Sequence, residues 1–189
     1  MVKRRIISAI IKNSNVQDEN IVVLEYGLSK ILMFLEDAVF TLVLGCLLGV
    51  IVESIIFQIL FMLLRMCAGG FHFESKRKCQ IFSALVTVVS LLGIRFFPDN
   101  LNAAVVVTLL AGIVIVVLAP VEAINKPLSD MERNIYHKRT VIIVIAAGVV
   151  LVLDLMFGNY VFCKPIMVGI YAVSILMVIG KIGNKLYFD

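Results

Sequence analysis

What this 189-residue chain lacks narrows its chemistry first. Its four cysteines, Cys46, Cys67, Cys79 and Cys163, contain no CxxC pair and no metal-ligand array. A zinc site would need more ligands than His72, His137, Cys67 and Cys79 supply, so no metal and no cofactor is expected. Tryptophan is absent, which leaves tyrosine and phenylalanine to form any aromatic belt at a membrane surface. There is no internal repeat and no low-complexity segment, and an inverted-repeat transporter is therefore not suggested. The net charge of +4 does not signal a nucleic-acid partner, because the basic residues are divided among loops.

What is present is apolar. Hydrophobic residues make up 61% of the chain, more than the roughly half of a soluble domain. The charges cluster between apolar runs of about 18 residues or more, the length that crosses hydrocarbon. The expected fold is all-α, a polytopic membrane protein of about six transmembrane helices, preceded by amphipathic helices that lie on the surface.

Those first helices occupy residues 1–36. Lys3, Arg4 and Arg5 precede Ile6, Ile7, Ile10 and Ile11 at helical spacing, a basic amphipathic pattern interrupted by Ser8 and Lys12. That apolar core is too short for a signal peptide. Ser14 and Gln17 are spaced as a capping box for a second helix, with Ile21, Leu24, Leu28, Ile31 and Leu35 along one stripe. Residues 37–189 then hold the six spans: 38–52, 54–68, 79 or 81–97, 101–119, 140–158 and 161–180. A polar loop covers 121–139.

Orientation follows from charge. With the N-terminus in the cytoplasm, only Arg95 and Lys164 of the 17 Lys and Arg residues lie outside. Both termini and the segment 65–79 are then cytoplasmic, in a compartment that keeps thiols reduced. Cys46 lies mid-membrane as a small hydrophobe, Cys163 near an outer edge and Cys67 at a helix end.

Segment 65–79 holds the scarce polar chemistry. Arg65 closes an apolar run, Gly69 and Gly70 disfavour helix, and His72 precedes Cys79 by seven residues. Cysteine beside histidine is a minimal kit for thiol catalysis: the base takes the thiol proton and the thiolate attacks an acyl carbon. A straight helix from 72 to 79 would hold the pair about 10 Å apart, whereas proton transfer needs about 3 Å or one bridging water. Continuous helix and catalytic pair therefore exclude each other. The glycines, and Ser75 as a cap, favour a new helix starting just before Cys79, where Lys76, Arg77 and Lys78 add positive potential. The plainer alternative is an interfacial His and Cys that only pack, in a basic loop. Arg65 has two readings as well: snorkelling to the surface, or contact with an oxyanion or carboxylate. Glu74 is a candidate third residue or a solvated loop charge. Glu53 and Asp154 lie toward the opposite face, and His137 is read as a surface residue.

The pattern Arg65-x3-Gly69-Gly70-x-His72-x6-Cys79 between two apolar spans resembles the accessory gene regulator B family. Ala119-Pro120 and Asn125-Lys126-Pro127-Leu128 extend the likeness, as does the hydropathy profile of nearly the whole chain. These are membrane cysteine endopeptidases of bacterial quorum sensing. The resemblance implies Cys79 as nucleophile and His72 as its base, acting on a short propeptide with an acidic C-terminal tail. It implies an acyl thioester on Cys79, closure to a thiolactone or lactone signal peptide, and a homodimer in the bacterial cell membrane. Lys76, Arg77, Lys78 and Lys126 are placed to attract the acidic tail, and Arg65, Gly69 and Gly70 to line the site. A small peptide transporter or exporter is the alternative function; it would put ionisable or broken-helix features at the membrane midplane.

Overall fold

The computed structural model describes residues 18–70, 76–98, 101–122, 128–158 and 160–188. Among these described residues six helices follow one another: α1 (Asp18–Leu48), α2 (Ile51–Ala68), α3 (Lys76–Arg95), α4 (Leu101–Leu118), α5 (Asp130–Phe157) and α6 (Cys163–Phe188). Among the described residues there is no strand, only an isolated bridge. Two compact units divide the chain, Met1–Phe40 and Thr41–Asp189. All six helices contain a segment long and apolar enough to cross a bilayer. The expected all-α, multi-pass membrane protein is what the chain forms.

Local chemistry sets the ends. Gly49, at φ 69°, stops α1, and Val50 N–H returns to the Gly45 carbonyl at 2.8 Å. Helix α4 halts before Pro120, which has no N–H to continue the ladder. Ser129 and Glu132 form a reciprocal capping box at the start of α5. At its far end Gly158 adopts a left-handed cap and donates to the Asp154 carbonyl at 3.1 Å.

The second unit packs around α6. That span is 56% buried, against 33% or less for every other, and it touches α2, α3, α4 and α5. Met167, Val173 and Met177 of α6 meet Phe57 and Leu64 of α2, Leu91 and Ile94 of α3, and Ile115 of α4 in one core. Small residues allow the approach. Gly169 sits against Leu60 and Phe57 of α2, and Gly112 of α4 against Val144 of α5. The outward faces remain apolar because their solvent is lipid: Ile81, Leu109, Val117 and Met156 are all exposed.

Two boundaries differ from the sequence expectation. The expected first span, 38–52, is broken at Gly49-Val50, where a left-handed glycine ends one helix and a second begins at Ile51. The expected polar loop 121–139 is helical from Asp130 onward, because the Ser129 capping box nucleates α5 ten residues before the apolar stretch. Hydropathy locates hydrocarbon, whereas capping locates helix. The expected break after Gly69 and Gly70 is present: α2 ends at Ala68 and α3 starts at Lys76. Residues 1–17, with the expected first amphipathic helix and the Ser14–Gln17 cap, lie outside the described residues. The expected division at 36/37 falls within α1.

Candidate functional site

The site lies where α2 ends. Gly69 takes φ 74° and Gly70 φ 123°, conformations that L side chains rarely adopt. The turn leaves carbonyls at and just past the end of α2 without helical partners, and two groups satisfy them. Arg65 Nη1 reaches forward four residues and donates to the Gly69 carbonyl at 2.8 Å. Val121 N–H, from the segment after α4, donates to the Ala68 carbonyl at 2.9 Å. Gly70 N–H donates in turn to the Val121 carbonyl at 3.4 Å, making a short parallel bridge between the two chain segments.

Both glycines are also required by space. A Cβ on Gly69 would collide with the Val121 carbonyl, and one on Gly70 with the Arg65 guanidinium. The arginine therefore lies over bare backbone, half-buried, at the end of an apolar helix.

Cys79 is in the first turn of α3, half-buried, as a free thiol. It lies within electrostatic reach of the Arg65 guanidinium. The fold thus brings together Arg65, Gly69 and Gly70 in one turn, and Cys79 opens the helix that follows it. Lys78 is exposed beside Cys79, and Lys76 and Arg77 belong to the same first turn. The thiol therefore stands at a helix N-terminus, the positive end of the helix dipole. His72, Glu74, Ser75 and Lys126 lie outside the described residues.

The other cysteines are elsewhere. Cys163 is fully buried at the opposite end of the bundle, where Asp154 accepts from the N–H groups of Phe162 (3.0 Å) and Cys163 (2.8 Å) and caps α6. Cys46 is exposed on α1, and Cys67 is half-buried on α2.

Three residues escaped sequence reasoning. His137, expected at the surface, is half-buried, and its Nδ1 lies 3.0 Å from the Ala119 carbonyl. Since a carbonyl only accepts, Nδ1 carries the proton in this contact. One turn earlier on α5, Arg133 grips Glu122 through Nε (2.9 Å) and Nη2 (2.5 Å). The signal was legible in Ser129-x-x-Glu132, which starts a helix and puts Arg133 and His137 on one face, four residues apart. A cleft of about 300 Å3 opens beside these groups, lined by Leu118, Ala119, Pro120, Val121, Glu122, Arg133 and Lys181.

A multi-pass helical membrane protein with a free thiol in the first turn of one helix, within electrostatic reach of an arginine at the end of the helix before it, is the class that fold and site define. The family model of accessory gene regulator B matches residues 3–179, and the chain belongs to that family. It is 27% identical over 138 residues to an AgrB-like protein of Lactiplantibacillus plantarum, covering 71% of this chain and 68% of that one. No solved structure matches it. Membership places the chain in the peptide processing of accessory gene regulator quorum sensing.

Proposed function

We propose that the protein is a cysteine endopeptidase that cuts a short signal propeptide and closes the retained part into a ring. The observation that carries this reading is the position of Cys79 in the first turn of a new helix, within electrostatic reach of Arg65, after a glycine break that prevents one continuous rod. His72 takes the Cys79 proton. The thiolate attacks the carbonyl of the residue before the tail, a C–S bond forms and the C–N bond breaks. The proton on His72 passes to the leaving amine, so the tail departs as a free peptide.

The retained part is now a thioester on Cys79. A cysteine or serine within the propeptide gives up its proton to His72 and attacks that thioester. The ring closes as a thiolactone or lactone, and Cys79 is regenerated. Water must be kept out at this stage, since its attack would give a linear acid. Lys76, Arg77, Lys78 and Lys126 draw an acidic tail to this end of the bundle, and Arg65 stabilises the oxyanion or holds a substrate carboxylate. The site and both termini face the cytoplasm, and the active unit is a homodimer.

Mixing the purified protein with its propeptide in detergent, and weighing the products, tests the reading. Cys79→Ala and His72→Ala are expected to remain folded in the membrane and to release no tail. Tail release by the Cys79→Ala protein at the wild-type rate would falsify the assignment; loss in Cys67→Ala alone would move the nucleophile to Cys67.

A further inference from the structure

The glycine turn of the site is fixed from outside. Its backbone hydrogen bonds run to Val121, in the segment Ala119–Glu122 that follows α4 and belongs to no helix. Ala68 and Gly70 hold that segment from one side through Val121. From the other side α5 holds it twice, at Ala119 through His137 Nδ1 and at Glu122 through Arg133. Ala119 and Val121 are buried, so their backbone groups have little water to fall back on.

We infer that His137 and Arg133 of α5 are positioning residues that hold Ala119–Glu122, and through Val121 the Gly69-Gly70 turn, in the geometry that seats Arg65 over those glycines. The two contributions are unequal. Arg133 is 55% exposed, and an exposed ion pair is screened by water. The His137 contact instead satisfies a carbonyl on a buried residue, whose orphaning is the costlier event. His137 is therefore the principal tie and Arg133 the auxiliary one.

The part of this inference that concerns turnover rests on the peptidase reading; the part that concerns the turn does not. Hydrogen exchange at the amides of Gly70 and Val121, in the full-length protein, reads the turn directly. Propeptide cleavage reads its consequence. His137→Leu is expected to speed exchange at both amides about tenfold and lower kcat by about tenfold with KM little changed, the loss of one buried hydrogen bond. His137→Asn keeps an N–H donor near the position of Nδ1 and is expected to restore both quantities to within about threefold. Arg133→Glu is expected to slow turnover about threefold, with recovery in the Glu122→Arg/Arg133→Glu double variant, whose pair has the reversed polarity.

Unchanged exchange at Gly70 and Val121 in His137→Leu overturns the inference, whatever happens to activity. Faster exchange with unaltered kcat overturns it too. A wild-type protein that cleaves nothing sinks the peptidase reading, and exchange alone then decides whether α5 holds the turn.

Discussion

At Gly70 a missing methyl group has a definite use. Positive φ and contact with the Arg65 guanidinium coincide there, so Gly70→Ala must both strain the backbone and push the arginine off the site. Strain of this kind costs about 1–3 kcal/mol. Propeptide processing by Gly70→Ala is expected to fall at least about tenfold, the rate equivalent of about 1.4 kcal/mol. Gly148, with nothing near its Cβ position, supplies the contrast. Gly148→Ala is expected to process normally and to melt no lower, since alanine is the better helix former by up to about 1 kcal/mol. Asp154 makes a separate prediction at the other end of the bundle. Asp154→Ala leaves the N–H groups of Phe162 and Cys163 without their acceptor, and thermal unfolding in detergent should show a loss of about 2 kcal/mol. The identities of Arg65, Gly69, Gly70 and Cys79 were legible because cations, paired glycines and thiols are rare in apolar sequence. The partner of the turn was not, since Val121 acts through its backbone, which no side chain advertises.

Helix boundaries were legible only where composition and capping agree. Helix α5 has 28 residues, about 42 Å at 1.5 Å each, whereas hydrocarbon is about 30 Å thick. The surplus is the polar first part from Asp130, which an apolar count assigns to a loop. This projecting part carries Arg133 and His137, so the shifted boundary and the unforeseen contact of His137 with Ala119 share one cause. Between helices the packing is set by small residues. Gly169 already has Leu60 Cδ2 only 3.3 Å from its Cβ position. Gly169→Val overpacks the contact of α2 with α6 and is expected to lower stability by about 1–3 kcal/mol, read from the midpoint of thermal unfolding.

On the scale of the whole molecule, the distribution of charge carries the orientation. If the end bearing Lys181 faces the cytoplasm, a membrane-impermeant maleimide applied to intact cells should label Phe96→Cys and spare Lys181→Cys, each in a cysteine-free background. Labelling of Lys181→Cys alone would invert the topology. Screening offers a second check on the acidic-tail proposal. Raising ionic strength from about 0.05 to 0.5 M, which shortens the Debye length severalfold, should raise KM for the propeptide while kcat changes little. The six-span count and the all-α class were readable from composition because lipid permits few alternatives. Which helix takes the centre was not, because every span is apolar and the choice depends on small residues such as Gly169 and Gly112 meeting bulky partners across the bundle.

That central position of α6 has a temporal consequence. During synthesis α2, α3, α4 and α5 enter the bilayer before the helix they all grip has left the ribosome. Until then each shows lipid the face meant for α6, and the Gly70 turn lacks the Leu176 carbonyl of α6, which lies 3.5 Å from its Cβ position. Nascent chains should therefore mature abruptly on delivery of the last of the six helices. Chains cut short ahead of Cys163 should be cleared by membrane proteases, which pulse labelling of such truncations would reveal.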